Sequence, residues 1–121
     1  MGAEQRRQIR VKLRLTVFMK LVSTGKVLRV LTKDISGGGM SLVAEGVFEP
    51  GTKLELEITL PDRKTPILCG AEVVWSKPTG HPRKSYEVTT SEAGVKFVSI
   101  DPKEESQLMQ YVRINALPGE V

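Results

Sequence analysis

Residues 11–21 read VKLRLTVFMKL, and apolar and polar side chains alternate along almost the whole stretch. A period of two predicts one long strand with one face in a core and the other in solvent. The STGK at 23–26 predicts a hairpin turn, and VLRVLTKDI at 27–35 predicts the returning strand. The predicted inward positions are Val11, Leu13, Leu15, Val17, Met19 and Leu21.

Further short strands follow before the period changes. They are predicted at 39–44, 53–60, 66–76 and 93–100, with a long polar connection over 77–91. Asp101, Pro102 and Glu104 then form a helix-start signature, and the helix is predicted over about 102–116. We therefore expect an all-β domain over 11–121: a meandering six-stranded antiparallel barrel with one terminal helix covering one end. A flexible basic arm over 1–10 precedes it.

Composition excludes several classes of protein. The 121 residues are 40% hydrophobic and 26% charged, which suits a single globular domain, and no apolar run is long enough to span a membrane. The single cysteine, Cys69, fits a reducing compartment, and with one histidine, His81, there is no zinc constellation. No carboxylate pair or phosphate-binding loop stands out. We expect no enzyme, no metal, no cofactor and a cytoplasmic location.

Positive charge is concentrated in the first quarter of the chain. The net charge is +4, but residues 1–33 hold nine lysines and arginines against one acid, Glu4. This asymmetry indicates an anionic partner for that segment. A solubilising tail followed by the exposed face of a strand would give the same pattern.

Two short clusters carry chemistry. RRQIR at 6–10 offers guanidinium groups, which bind phosphate oxygens or the O6/N7 edge of guanine with two hydrogen bonds. In DISGGGM at 34–40, Asp34 and Ser36 share a side of an extended backbone, and a carboxylate can accept from the N1–H and N2–H₂ groups of guanine. The alternatives are a frayed basic terminus, and a tight turn whose glycines supply positive φ. Taken together, the clusters favour a guanine nucleotide.

These residues resemble the PilZ domain, a bacterial receptor for cyclic di-GMP with an RxxxR motif in an N-terminal arm and a [D/N]xSxxG motif in a barrel strand. GAEVVW at 70–75, GVKF at 94–97 and the terminal helix are looser matches. The resemblance implies a PilZ-like barrel of the split-barrel type whose arm closes over the ligand. It implies that Arg6 and Arg10 hold phosphate and guanine groups with Arg7 assisting, that Asp34 and Ser36 read a guanine, and that Gly39 keeps the surface open. Weaker candidates are Gly38, Trp75 and Gly94.

The predicted function is therefore a non-catalytic receptor that relays cyclic di-GMP binding, by closure of its arm, to a protein partner whose identity is open. One alternative is a PilZ-type interaction adaptor that has lost its ligand. Another is a basic barrel that binds RNA or single-stranded DNA, which an aromatic content of 5% disfavours. Gln5 stands where many relatives carry arginine, which leaves open whether one ligand or a stacked pair binds.

Overall fold

Seven strands and one helix make up the described part of the chain. The computed structural model describes residues 10–79 and 89–115. Arg6, Arg7 and His81, together with most of the predicted arm, lie outside the described residues. The elements in chain order are β1 (Val11–Lys12), β2 (Thr16–Leu21), β3 (Val27–Ser36), β4 (Gly39–Glu45), β5 (Lys53–Ile58), β6 (Ile67–Pro78), β7 (Thr90–Ile100) and α1 (Pro102–Ile114).

The six longer strands close into an antiparallel barrel. Strand β3 pairs with both β2 and β4, β4 pairs with β7, and β7, β6 and β5 lead back to β2. The predicted all-β barrel with one helix is confirmed, but its meandering order is wrong. The segment after β4 runs along β6, where the Gly51 amide donates a hydrogen bond to the Val73 carbonyl at 2.8 Å. Strand β5, which follows this segment, then lies beside β2.

The predicted first strand is divided in two. Thr32 is buried opposite the break, and its hydroxyl donates to the Leu13 carbonyl (2.5 Å) and accepts from the Leu15 amide (2.8 Å). One extra residue on this side separates the β1 register from the β2 register, as in a β-bulge. The prediction of a single strand is wrong here, although its alternation holds: Leu13 and Leu15 are buried.

The predicted connection over 77–91 is shorter than expected. Strand β6 continues to Pro78 and β7 begins at Thr90, with Pro78 paired to Ser91 and Thr79 N donating to Thr90 O at 3.0 Å. Polar composition pointed to a loop, but cross-strand hydrogen bonds extend both strands into the predicted connection.

The core fills the barrel, and α1 covers part of it. Asp101 caps the helix by accepting from Lys103 N, and Leu108 and Val112 are fully buried. Glu104 pairs with Arg63 at 3.2 Å, which ties the helix to the segment after β5. Among the residues described, no helix has the length and apolar character needed to cross a membrane. The largest fully buried side chains are Met19, Ile35, Met40, Leu42, Leu54, Leu56, Ile58, Leu60, Ile67, Leu108, Val17 and Val73.

Candidate functional site

A cleft of about 340 Å³ opens on the outer surface of the barrel, beside the turn between β3 and β4. It brings together most of the residues singled out from the sequence, although they come from four separate segments of the chain. Its lining consists of Arg10, Ser36, Gly38, Gly39, Val74, Trp75, Gly94, Val95 and Lys96.

Arg10 and Asp34 form an ion pair at the edge of this cleft. The arginine side chain is 53% exposed and the aspartate side chain 23% exposed, so the pair remains accessible to solvent. The guanidinium offers the carboxylate N–H donors, as the N1/N2 edge of guanine does. The structure therefore joins the last arginine of RxxxR to the first residue of the second motif.

The turn of DISGGGM is tight without left-handed glycines. Ser36 is paired with Gly39 across the turn, and its hydroxyl donates to the Gly39 carbonyl at 3.4 Å. The described glycines with positive φ are Gly25, Gly46 and Gly51. The alternative interpretation, a turn whose glycines supply positive φ, is therefore wrong.

Gly39 is required by a close approach of two strands. A Cβ at this position would lie 2.1 Å from the Val95 carbonyl oxygen and 3.0 Å from the Lys96 Cα. The Phe97 amide donates to the Gly38 carbonyl at 2.9 Å, which holds β7 against the turn. Backbone contact between β4 and β7 is the structural reason for glycine here, whether or not a ligand also needs the space.

Trp75 packs against Gly94 on the outside of the barrel. A register shift in β6 just before Trp75 pairs it with Gly94, and a Cβ on that glycine would fall 2.3 Å from the indole Nε1. Trp75 as a residue is 37% exposed and lies outside the core cluster. The ammonium of Lys77 is 5.8 Å from the ring centroid, within cation–π range. Trp75 therefore remains partly exposed beside the cleft, between Gly94 and Lys77.

Sequence reasoning missed two polar residues at this site. Ser41 lies between Asp34 and Gly94 in the strand register, is 3% exposed, and its Oγ finds no hydrogen-bond partner among the described residues. Lys96 lies on the cleft wall. The signal was available in the alternation, because Ser41 follows Gly39 by two residues and Lys96 follows Gly94 by two, which places each pair on one face.

One further acid, Glu92, lies near the site. Glu92 pairs with Lys33 and lies 4.0 Å from Lys77, so it links the strand that carries Asp34 to the lysine above Trp75. In the parts of the chain that are described, no group of three or more histidine, cysteine, aspartate or glutamate residues could hold a metal ion. The arrangement suits recognition of a polar, anionic, planar ligand.

Fold and cleft together define a small β-barrel domain with its candidate site on the outer surface. The sequence profile of the PilZ domain matches residues 4–113, which is most of the chain. The chain therefore belongs to the PilZ family, as the two motifs predicted. Comparison with curated proteins by sequence gives no match.

Solved structures share the fold. The Bacillus subtilis inhibitor of motility, MotI/DgrA, aligns with a TM-score of 0.69 at 24% identity over 91% of this chain and 50% of that one. The PilZ domain of YcgR from Escherichia coli, solved with cyclic di-GMP, aligns with a TM-score of 0.69 at 20% identity over 91% and 90%. PlzA from Borreliella burgdorferi, in complex with cyclic di-GMP, gives 0.55 at 14% identity over 98% and 57%. This chain spans about half the length of the Bacillus protein.

Proposed function

We propose that this chain is a non-catalytic receptor that binds cyclic di-GMP in the cleft beside Arg10 and Asp34. The observation that carries the proposal is the meeting of these two residues, from motifs 24 positions apart, next to an exposed tryptophan in a PilZ-family barrel. PilZ structures from Escherichia coli and Borreliella burgdorferi hold the same nucleotide. A cytoplasmic location is part of the proposal.

Each side chain has a role that follows from its chemistry. The Asp34 carboxylate accepts from the N1–H and N2–H₂ groups of a guanine, and Arg10 then turns from Asp34 to a phosphate or to the O6/N7 edge. The hydroxyl of Ser36, on the cleft wall, adds a hydrogen bond. Trp75 stacks on a base once the Lys77 side chain moves aside, because base–aromatic stacking contributes about 1–3 kcal/mol.

Binding requires the Arg10–Asp34 pair to open. Exposed ion pairs contribute only about 0–1 kcal/mol, so exchanging this pair for ligand contacts costs little. The cleft of about 340 Å³ is at the small end of ligand pockets, and a cyclic dinucleotide would extend beyond it. Closure of the arm, with Arg6 and Arg7, is the proposed means of covering the remainder and of relaying the signal to a protein partner.

Calorimetric titration with cyclic di-GMP tests the receptor function. The wild type is expected to bind at micromolar concentration or tighter. Asp34→Ala removes both carboxylate acceptors and is expected to weaken binding by at least about tenfold, since hydrogen bonds to a charged group are worth about 1.5–3 kcal/mol. Glu57→Ala is the matched control, because Glu57 is an exposed strand carboxylate outside the cleft. A wild type that gives no binding heat at high ligand concentration would rule the proposal out.

The relay has a separate test. Hydrogen exchange of the residue 1–10 amides should slow when cyclic di-GMP is added, because arm closure orders that segment. Equal exchange with and without ligand, in a protein that binds, would remove arm closure from the proposal and leave the receptor function standing. The adaptor alternative predicts partner binding that cyclic di-GMP does not change.

A further inference from the structure

Lys96 is an exposed lysine on the wall of the cleft, in the middle of β7. Its cross-strand neighbours are Gly39 on one side and Glu72 on the other. Because Gly39 has no side chain, this β4 neighbour does not screen the lysine stem from the cleft. The ammonium is thus positioned next to the residues that the PilZ motifs place around the ligand.

The positively charged side chains on the cleft wall differ in whether an acidic side chain already neutralises them. Of the described lining residues, only Arg10 and Lys96 carry positive charge, and the Arg10 guanidinium is engaged by Asp34. Glu72 is the acid nearest to Lys96 in the register, but it accepts a hydrogen bond from Lys53 at 2.8 Å. That bond and the Lys53 charge, with a smaller contribution from Lys96, lower the pKa of Glu72. In the described ranges, Lys96 has no ion pair within 4.0 Å.

We propose that the Lys96 ammonium binds a phosphodiester oxygen of the ligand, as a second cation beside Arg10. The inference rests on the proposed function and deepens it. Cyclic di-GMP carries two phosphodiesters, and each keeps its negative charge at neutral pH. An ammonium on a flexible stem is suited to a phosphate as a point charge, and it makes no demand for the planar geometry that a guanidinium requires.

Three variants test the assignment by titration with cyclic di-GMP. Lys96→Met should weaken binding by about tenfold, the low end for loss of a charged hydrogen bond. Lys96→Arg keeps the charge and should stay within about threefold of the wild type. Lys20→Met removes one charge from an exposed strand lysine outside the cleft and should bind like the wild type. Thermal melting of each variant checks that the fold is retained.

Salt dependence gives a second readout. Raising salt from about 0.1 M to about 1 M shortens the Debye length from about 10 Å to about 3 Å, so affinity should fall less for Lys96→Met than for the wild type. If the wild type binds and both Lys96→Met and Lys20→Met bind with the same affinity, the phosphate contact of Lys96 is overturned. The proposed receptor function then still stands. Absence of binding by the wild type would overturn the proposed function, and this assignment with it.

Discussion

Replacement of Gly39 by alanine provides the sharpest test of how β4 lies against β7. The added methyl group would lie 2.1 Å from the Val95 carbonyl oxygen, and the other close atoms are also backbone atoms of β7. Because backbone cannot rotate away as a side chain can, the two strands must separate by about 1 Å or more to restore an ordinary carbon–oxygen contact. Gly39→Ala therefore disturbs the β4–β7 ladder directly.

The cost can be worked from its parts. Overpacking of this kind costs about 1–3 kcal/mol, and loosening two ladder hydrogen bonds adds about 2 kcal/mol. The lower entropy of alanine in the unfolded chain returns about 0.4–1 kcal/mol. We expect a net loss of about 3 kcal/mol. For this chain length, with an unfolding entropy of about 2.1 cal/mol/K per residue, the melting temperature should fall by about 12 °C.

Thermal and urea unfolding, followed by circular dichroism, measure this change without ligand. Gly37→Ala is the matched control, because a Cβ on Gly37 would meet nothing within 4 Å and its φ is not positive. It should unfold within about 1 kcal/mol of the wild type. If Gly39→Ala melts together with Gly37→Ala, the close strand approach is refuted, and the requirement for glycine would have to come from the ligand.

Three further predictions concern single side chains. Gly94→Ala should push the indole of Trp75, the only tryptophan, away from the barrel surface. Its fluorescence emission should shift to longer wavelength and cyclic di-GMP binding should weaken, while the fold persists. An unchanged emission spectrum would contradict the contact between Trp75 and Gly94. Thr32→Val leaves a buried amide and a buried carbonyl of the β1–β2 connection without their partner, and unfolding in urea should show a loss of about 2–4 kcal/mol, whereas a near-neutral result would contradict that bonding. Burial raises the pKa of the Cys69 thiol to about 11, so at pH 8 only about one thiol in a thousand is ionised. Labelling by iodoacetamide, measured by mass spectrometry, should therefore be slow in the folded protein at pH 8, faster towards pH 11 and fast in urea. Fast labelling of the folded protein at pH 8 would contradict this prediction.

Several features of the fold were predictable from local pattern. The alternation in 11–21 correctly placed Val17 and Met19 in the core, because strand side chains point to opposite faces in turn. The helix start at Asp101 was predicted because capping depends on neighbouring residues alone. The break between β1 and β2 was not predictable, because it depends on Thr32, which is distant in sequence and adjacent only in the folded barrel.

The candidate site divides in the same way. The motif residues Arg10, Asp34 and Ser36 were visible in the sequence, since their chemistry and spacing are local properties. Alternation places Ser41 on the face of Gly39 and Lys96 on the face of Gly94. The pairing of β4 with β3 and β7, which brings these faces together beside Asp34, is not specified by any local pattern. The ligand roles of Arg6 and Arg7 stay predictions, as these residues lie outside the described part of the chain.

What the chain alone determined was the alternating pattern of most strands, the helix, the family and the chemistry of the two motifs, because each depends on neighbouring residues. What only the tertiary structure decided was which strands are neighbours. Closure of the barrel puts β4 beside β7 rather than β5, and that pairing sets Gly39 against the Val95 carbonyl and Gly94 beneath Trp75. Strand partners are chosen by packing and hydrogen bonding across the whole barrel, and a period of two carries no record of that choice.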